Sequence, residues 1–368
     1  MNKSPVVVTR HKCAACFRQF KRKEHLVEHM KKSNHSVHEP KCGVCQKHCK
    51  SFESLREHIS GQVAKATCSS IFSLTGCQLC LKVFDSTGSL NEHKESCLRP
   101  APACLGTIDV PEYVAYEALE DNIHISKFPE AVAIECQMVG GGSDGSVDIL
   151  ARVCLVDEEE NMIFHTFVAP QMPVTDYRYK LTGLTEAHLR DGMPLTEVQE
   201  KISRILYNGE SLGKARLNGG KAKLLVGHNV QCDLDCLLMN YPDILIRDTA
   251  TYLPLMKTHT KNASYSLKDL TKKFLGYDIR AGHHDPLQDC LSVMRLYKRM
   301  RSQEHQDEMT ATMCGYKTKD TYTFDTLTLK ELENMSPDEL FEISTSNYQC
   351  WCLDSRPRDL SRTWNVSV

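Results

Sequence analysis

The spacing of cysteine and histidine in the first hundred residues constrains this chain more than any other feature. Cys13 and Cys16 are followed by His29 and His35, Cys42 and Cys45 by His58, and Cys77 and Cys80 by His93 and Cys97, with twelve residues between the second cysteine and the first histidine each time. A unit of about 25 residues buries too little surface to fold alone, so thiolate and imidazole coordination must supply the folding free energy. Zinc is the ion such spacing implies. Phe20 and Leu26 in the first unit, and Phe84 and Leu90 in the third, fall where a small ββα finger needs its two apolar core residues.

The second unit keeps Leu55 but has Cys49 in the aromatic slot, and no histidine follows His58 at finger spacing. Cys68 is the candidate fourth ligand, with Cys49 or an unfilled site as the alternatives. Two to three structural zinc ions are therefore expected. The units divide as residues 1–37, 38–70 and 71–99, followed by a linker at 100–127, an α/β domain at 128–303 and a C-terminal tail with short helices at 304–368.

Charge separates along the same line. Residues 1–104 hold 17 Lys and Arg against 8 Asp and Glu, whereas the remainder holds 28 against 39. A basic finger region suits a polyanionic partner. Ten of the 18 cysteines lie there in ligand-like pairs rather than in a disulfide framework, which predicts a reducing compartment. The start MNKSPVVVTRHK lacks an apolar signal core and no run suffices to span a membrane, so no membrane partner is expected. Basic fingers point to the nucleus, with the cytoplasm as the alternative.

In a DNA-reading finger the base-facing helix positions would be Arg22, His25 and Glu28 in the first unit and Ser86, Ser89 and Glu92 in the third. Only Arg22 suits base readout, and the linkers are long and irregular. The preferred reading is recognition of RNA backbone or shape through Lys21, Arg22, Lys23, Lys31 and Lys32, with DNA as the alternative. A merely solvated charge run is the bland reading.

Three prolines after Cys97 and an acidic stretch mark the linker. Beyond it, AVAIECQMV, SVDILARVCLVD and MIFHTFVAP read as three strands joined by tight turns. Helical and strand-like segments then alternate: a helix over Leu195 to Tyr207, a strand at KLLVGHN, a helix from Asp233 to Met239, a strand at ILIRDTA, and helices from Ser266 and from Asp289. A meander followed by α/β units predicts an RNase H-like mixed sheet flanked by helices. That arrangement brings Glu135, Gln137, Asp233 and Asp289 together.

Four ordered segments, AIECQMVG (133–140), VTDYRYKLTGLTEAHL (174–189), VGHNVQCDLDCL (226–237) and HDPLQDCLSVMRLY (284–297), resemble the motifs of the DEDDh 3′–5′ exonucleases, in their RNA exonuclease branch. The resemblance covers residues 128–303. It implies phosphodiester hydrolysis with two Mg2+ or Mn2+ ions held by Glu135, Asp233 and Asp289, with Gln137 in the remaining ligand position and His284 as general base. His283 is then a bystander, and Asp235 and Asp285 are expected at the surface, with compensation for the lost acid charge as the alternative.

Two positions depart from the family pattern. Glu135 stands where the branch has Asp, and Gln137 stands where it has Glu, so four acids become three. A shift of the reacting geometry by about 1 Å costs on the order of a hundredfold in rate. Three readings follow: an RNA 3′–5′ exonuclease tethered by its fingers, a catalytically impaired exonuclease fold that binds RNA or protein partners, and a zinc-finger DNA-binding regulator.

Overall fold

The computed structural model describes residues 11–13, 16, 18–33, 35, 38–62, 64–105, 129–211, 220–257, 263–303, 332, 334–335, 340 and 350–355. The expected linker lies mostly outside the described residues, as does most of the tail after residue 303. Among the described residues the chain divides into two units, one drawn from Met1–Lys94, Tyr252–Ser264 and Gln303–Cys350, the other from Glu95–Thr251, Tyr265–Ser302 and Trp351–Val368.

The first unit is built around its cysteines. A two-stranded antiparallel hairpin, β1 (His11–Lys12) and β2 (Gln19–Phe20), leads into α1 (Lys23–Ser33). Its buried face, Leu26, Val27 and Met30, packs with Cys13 and, from far along the chain, Leu332 and Leu340. A helix and hairpin of this size have too few apolar residues to close their own core, and two leucines of the tail complete it. The second and third Cys/His units keep the helix but shrink the hairpin to single bridges, Lys41 with His48 and Gly76 with Val83. Their helices are α2 (Phe52–Ser60), whose N-cap Ser51 accepts from the Ser54 amide, and α4 (Thr87–Cys97). An additional helix, α3 (Ala66–Thr75), lies between them and carries Cys68.

The second unit is a mixed α/β sheet. Its strands are β3 (Ala131–Gly141), β4 (Val147–Val156), β5 (Met162–Phe167), β6 (Val174–Asp176), β7 (Leu224–Gly227) and β8 (Ile246–Asp248), in the order β5-β4-β3-β7-β8 with β6 paired to the end of β3. The β3–β4–β5 meander is antiparallel, and β7 and β8 extend it in parallel. Gly142 and Gly145, both at positive φ, turn β3 into β4, and a Cβ on Gly140 would lie 2.4 Å from the Gly145 carbonyl oxygen. The central strand β3 is buried along most of its length, as a strand covered on both faces must be.

Helices α5 (Tyr179–Thr182), α6 (Glu186–Leu189), α7 (Leu195–Tyr207), α8 (Val230–Cys236), α9 (Leu267–Leu270) and α10 (Pro286–Arg301) flank the sheet, with a single π turn at Thr271–Leu275 after α9. The helix α10 packs on β3 and β4. It starts three residues before the expected Asp289, because the Asp285 side chain accepts from the Leu287 and Gln288 amides and Pro286 occupies the first turn. A short 3-10 turn at Trp351–Ser355 seals the far edge: Asp354 pairs bidentately with Arg247 of β8 at 2.6 and 2.8 Å and accepts from the Tyr297 hydroxyl at 3.1 Å. No helix among the described residues is long and apolar enough to cross a membrane.

Candidate active site and metal centres

Two kinds of cluster emerge, one of sulfur and nitrogen and one of oxygen. In the first unit, Cys42, Cys45, His58 and Cys68 place their ligand atoms all within 4.8 Å of one another. Cys13, Cys16 and His29 do the same, as do Cys77, Cys80 and His93, with Cys97 one turn beyond His93 on α4. Sulfur-to-nitrogen distances of 3.1 Å for Cys16–His29 and Cys80–His93 and 3.2 Å for Cys45–His58 approach the roughly 3.5 Å separating two ligands of one tetrahedral zinc. These donor sets fit zinc.

The middle Cys/His set takes Cys68 from α3, while Cys49 remains outside the cluster with burial pushing its thiol up to about 12. His35 stands outside the set of three in the first unit. Its ring centroid is 5.2 Å from that of His29, and its Nδ1 faces Glu39 Oε2 at 3.2 Å. A carboxylate on Nδ1 leaves Nε2 as the nitrogen free to ligate, the arrangement in which metal-bound histidines are usually held.

The oxygen cluster belongs to the second unit. Glu135 and Gln137 lie two residues apart on β3 and so project from the same face. Opposite Gln137 the register with β4 slips, so that Gln137 pairs with Arg152 and Met138 with Leu150. Such a bulge bends the strand where side chains must be aimed. Asp233 arrives on α8, whose start is held by a residue the sequence reading missed: Asp248, at the end of β8, accepts from the amides of Asn229 and Val230 at 2.8 and 3.2 Å. Asp233 Oδ1 in turn accepts from the Cys136 amide at 3.3 Å. Asp289 enters from the first turn of α10.

Three carboxylates in a buried setting raise one another's proton affinity. Burial, reinforced by Asp289 and Asp233, holds Glu135 well above the usual carboxylate range, and burial raises Asp233 and Asp289 as well. A second residue unforeseen from sequence offsets part of this. The Arg280 guanidinium meets Asp289 Oδ2 at 2.7 Å through Nη2 and 2.9 Å through Nε, and Glu135 Oε1 at 3.4 Å through Nη2. No local motif flags Arg280. Its positive φ and a backbone amide donated to Gln288 Oε1 at 3.1 Å are what turn it toward the cluster.

Gln137 is engaged through one end of its amide only. Its Nε2 donates to the His284 carbonyl oxygen, while its Oε1 is buried without a partner. Glu135 Oε2 and Asp289 Oδ1 are likewise buried and unpartnered. His284 is held through its own amide, which donates to the Leu181 carbonyl at 2.7 Å. Burial, with Arg280 nearby, pushes its imidazole down to about 4.

Two expectations require correction. Asp285, expected at the surface, is buried because it caps α10. Lys23, expected to hold nucleic acid, is buried against the tail and donates to the Met335 carbonyl at 3.2 Å. Lys21, Arg22, Lys31 and Lys32 are exposed, though Lys32 is engaged by Glu28 at 2.6 Å and Arg22 by Glu24 at 3.6 Å. Asp235 is exposed and bonded to Gln231, and His283 is exposed with its ring 5.3 Å from that of Tyr179.

Residues 138–297 match the family described as exonuclease (RNase T), a match that begins one residue after Gln137. The chain is similar to RNA exonuclease 4 of Candida glabrata, 35% identical over 182 residues, which cover 50% of this chain and 63% of that protein. It is also similar to RNA exonuclease 4 of Mycosarcoma maydis, 38% identical over 48% of this chain and 44% of the other, and of Homo sapiens, 34% identical over 45% and 36%. The matched segment spans less than two thirds of each of these relatives. Among solved structures, a Saccharomyces cerevisiae Pan2 pseudoubiquitin hydrolase-RNA exonuclease module in complex with AAGGAA RNA matches with a TM-score of 0.42 at 19% identity, over 63% of this chain and 37% of that one.

Proposed function

We propose that this protein is a 3′–5′ exonuclease acting on RNA, with slow hydrolysis and with zinc-filled fingers that hold the substrate backbone. The observation that carries the reading is the meeting of Glu135, Asp233 and Asp289, from three separate elements, in one buried cluster with unpartnered oxygens. Its supports are the exonuclease match over 138–297 and the similarity to proteins named RNA exonuclease 4.

Carboxylate oxygens suit a hard divalent cation such as Mg2+ or Mn2+. Bound there, such a cation supplies an acidified water and neutralises charge developing on the phosphate. The residues of this chain do the rest. Asp233, fixed by the Cys136 amide, and Asp289, fixed at the capped start of α10, provide rigid oxygens. His284 accepts the proton of the attacking water, but an imidazole held near 4 is a weak base at neutral pH, where a base near the working pH performs best. Gln137 contributes a neutral oxygen where a fourth acid would add charge. Both features favour slow turnover.

A second reading, RNA binding without cleavage, is favoured by the ion pairs Arg280 makes inside the cluster. One experiment separates the two. Full-length protein with its zinc retained is incubated with 5′-labelled single-stranded RNA, or DNA of the same sequence, in Mg2+ or Mn2+. The expected result is a slow ladder of 3′-shortened RNA, faster in Mn2+, and abolished by Asp233→Asn. Intact RNA that is nevertheless bound would establish the second reading, and preferential binding of duplex DNA without cleavage would replace both.

A further inference from the structure

We infer that Arg280 stands in for one of the two divalent cations expected at this cluster, so that the site takes a single divalent ion. The inference rests on the reading of the cluster as the metal centre of the proposed exonuclease, and it deepens that reading.

Charge is the first argument. Two divalent ions carry +4 and call for about four ligand anions; Gln137 leaves three, and the guanidinium brings +1. Arg280 thus already supplies one positive charge to the ligand acids, which leaves them less negative charge than a second divalent ion calls for. Geometry points the same way. Arg280 spans the gap between two acids from different elements, gripping Asp289 Oδ2 through two nitrogens and reaching Glu135 Oε1 through one of them. A bridging cation would hold the same pair of acids.

The guanidinium satisfies only one oxygen of each. Glu135 Oε2 and Asp289 Oδ1 stay buried without partners, and Gln137 Oε1 with them. Buried acceptors are normally satisfied, and unpartnered oxygens on the residues that flank the guanidinium are the kind of ligand Mg2+ or Mn2+ takes.

The placement is built rather than incidental. The amide of Arg280 donates to Gln288 Oε1, and Gln288 Nε2 donates to the Pro102 carbonyl at 3.1 Å, so the backbone under the arginine is tied to α10 one residue before Asp289. The arginine side chain is 22% exposed while Asp289 is 1% exposed, so the cation lies at the mouth of the cluster, over the acids.

Mn2+ binding to the full-length, zinc-replete chain, followed by calorimetry and by the loss of the free-ion paramagnetic resonance signal, tests this without RNA. A failure to cleave RNA therefore leaves it standing. One Mn2+ per wild-type chain is expected. Arg280→Gln, which removes the competing charge, should bind Mn2+ at least about tenfold more tightly, and Arg280→Lys should stay near wild type. Two ions in the wild type would overturn the inference, as would none. Affinity unchanged or lowered in Arg280→Gln would also overturn it. Should Arg280→Gln not fold, the wild-type count and Arg280→Lys still decide.

Discussion

Gln137 donates its side-chain amide to the backbone carbonyl of His284, a bond between positions 147 residues apart. The amide at 137 is thus a strut between the first strand and the loop carrying the expected base. A carboxylate in its place would turn an acceptor toward that carbonyl.

Gln137→Glu is therefore expected to destabilise the metal-free protein by about 1–3 kcal/mol at neutral pH, the cost of an unmet buried acceptor, rather than restore a fast nuclease by itself. Denaturant unfolding of full-length protein measures it. A variant as stable as wild type, with turnover raised more than tenfold, would show that the strut is dispensable.

The fourth ligand of the middle Cys/His unit is testable by metal content. Cys68→Ser should lose one zinc per chain, and Cys49→Ser should lose none, because only Cys68 shares the cluster with Cys42, Cys45 and His58. Equal zinc in both variants would remove Cys68 from the set.

Buried His165 gives the fold an acid sensitivity. Arg152 Nε donates to His165 Nε2 at 2.7 Å, so the ring must stay neutral, and burial pushes it down to about 4. Unfolded histidine titrates near 6.5, so between about 6.5 and 4 the unfolded chain binds the extra proton. The stability contributed is present above pH 6.5 and is lost as pH falls, by about 3 kcal/mol at pH 4. His165→Gln keeps an acceptor for Arg152 and cannot titrate, so unfolding curves of this variant should lose that part of the pH slope; an unaltered slope would remove His165 as its source.

Around α1, the exposed and buried cations should separate cleanly. Lys31→Ala/Lys32→Ala should weaken RNA binding and reduce the salt slope by about 1.4, at roughly 0.7 per phosphate contact on a single strand. Lys23→Met should leave that slope unchanged and lower the unfolding temperature, because Lys23 is buried against the Met335 carbonyl. A slope change with Lys23→Met would restore it to the nucleic-acid surface.

Much of this is legible in the sequence. Ligand spacing is local, since a finger must bring its cysteines and histidine together within some twenty residues, and the pattern therefore survives in one dimension. The first strand, α7 and the meander were readable for the same reason: apolar runs and turn residues act over neighbouring positions. The helix α10 starts three residues before Asp289 because Asp285 is a cap rather than a surface acid, a start that the Asp-Pro pair in the sequence signals.

What only the tertiary structure decided are the partners that close over long separations. Arg280 reaches Glu135 across 145 residues, the Cys136 amide meets Asp233 across 97, and Lys23 finds Met335 across 312. No periodicity records such pairings, because they depend on which strands the sheet sets side by side and on where α10 begins. The sequence by itself determined which acids and which sulfurs this protein has to work with. The fold decided that the missing acid serves as a hydrogen-bonded strut and that an arginine shares the carboxylates, because a buried cluster of like charges must find its counter-charge wherever the chain returns to it.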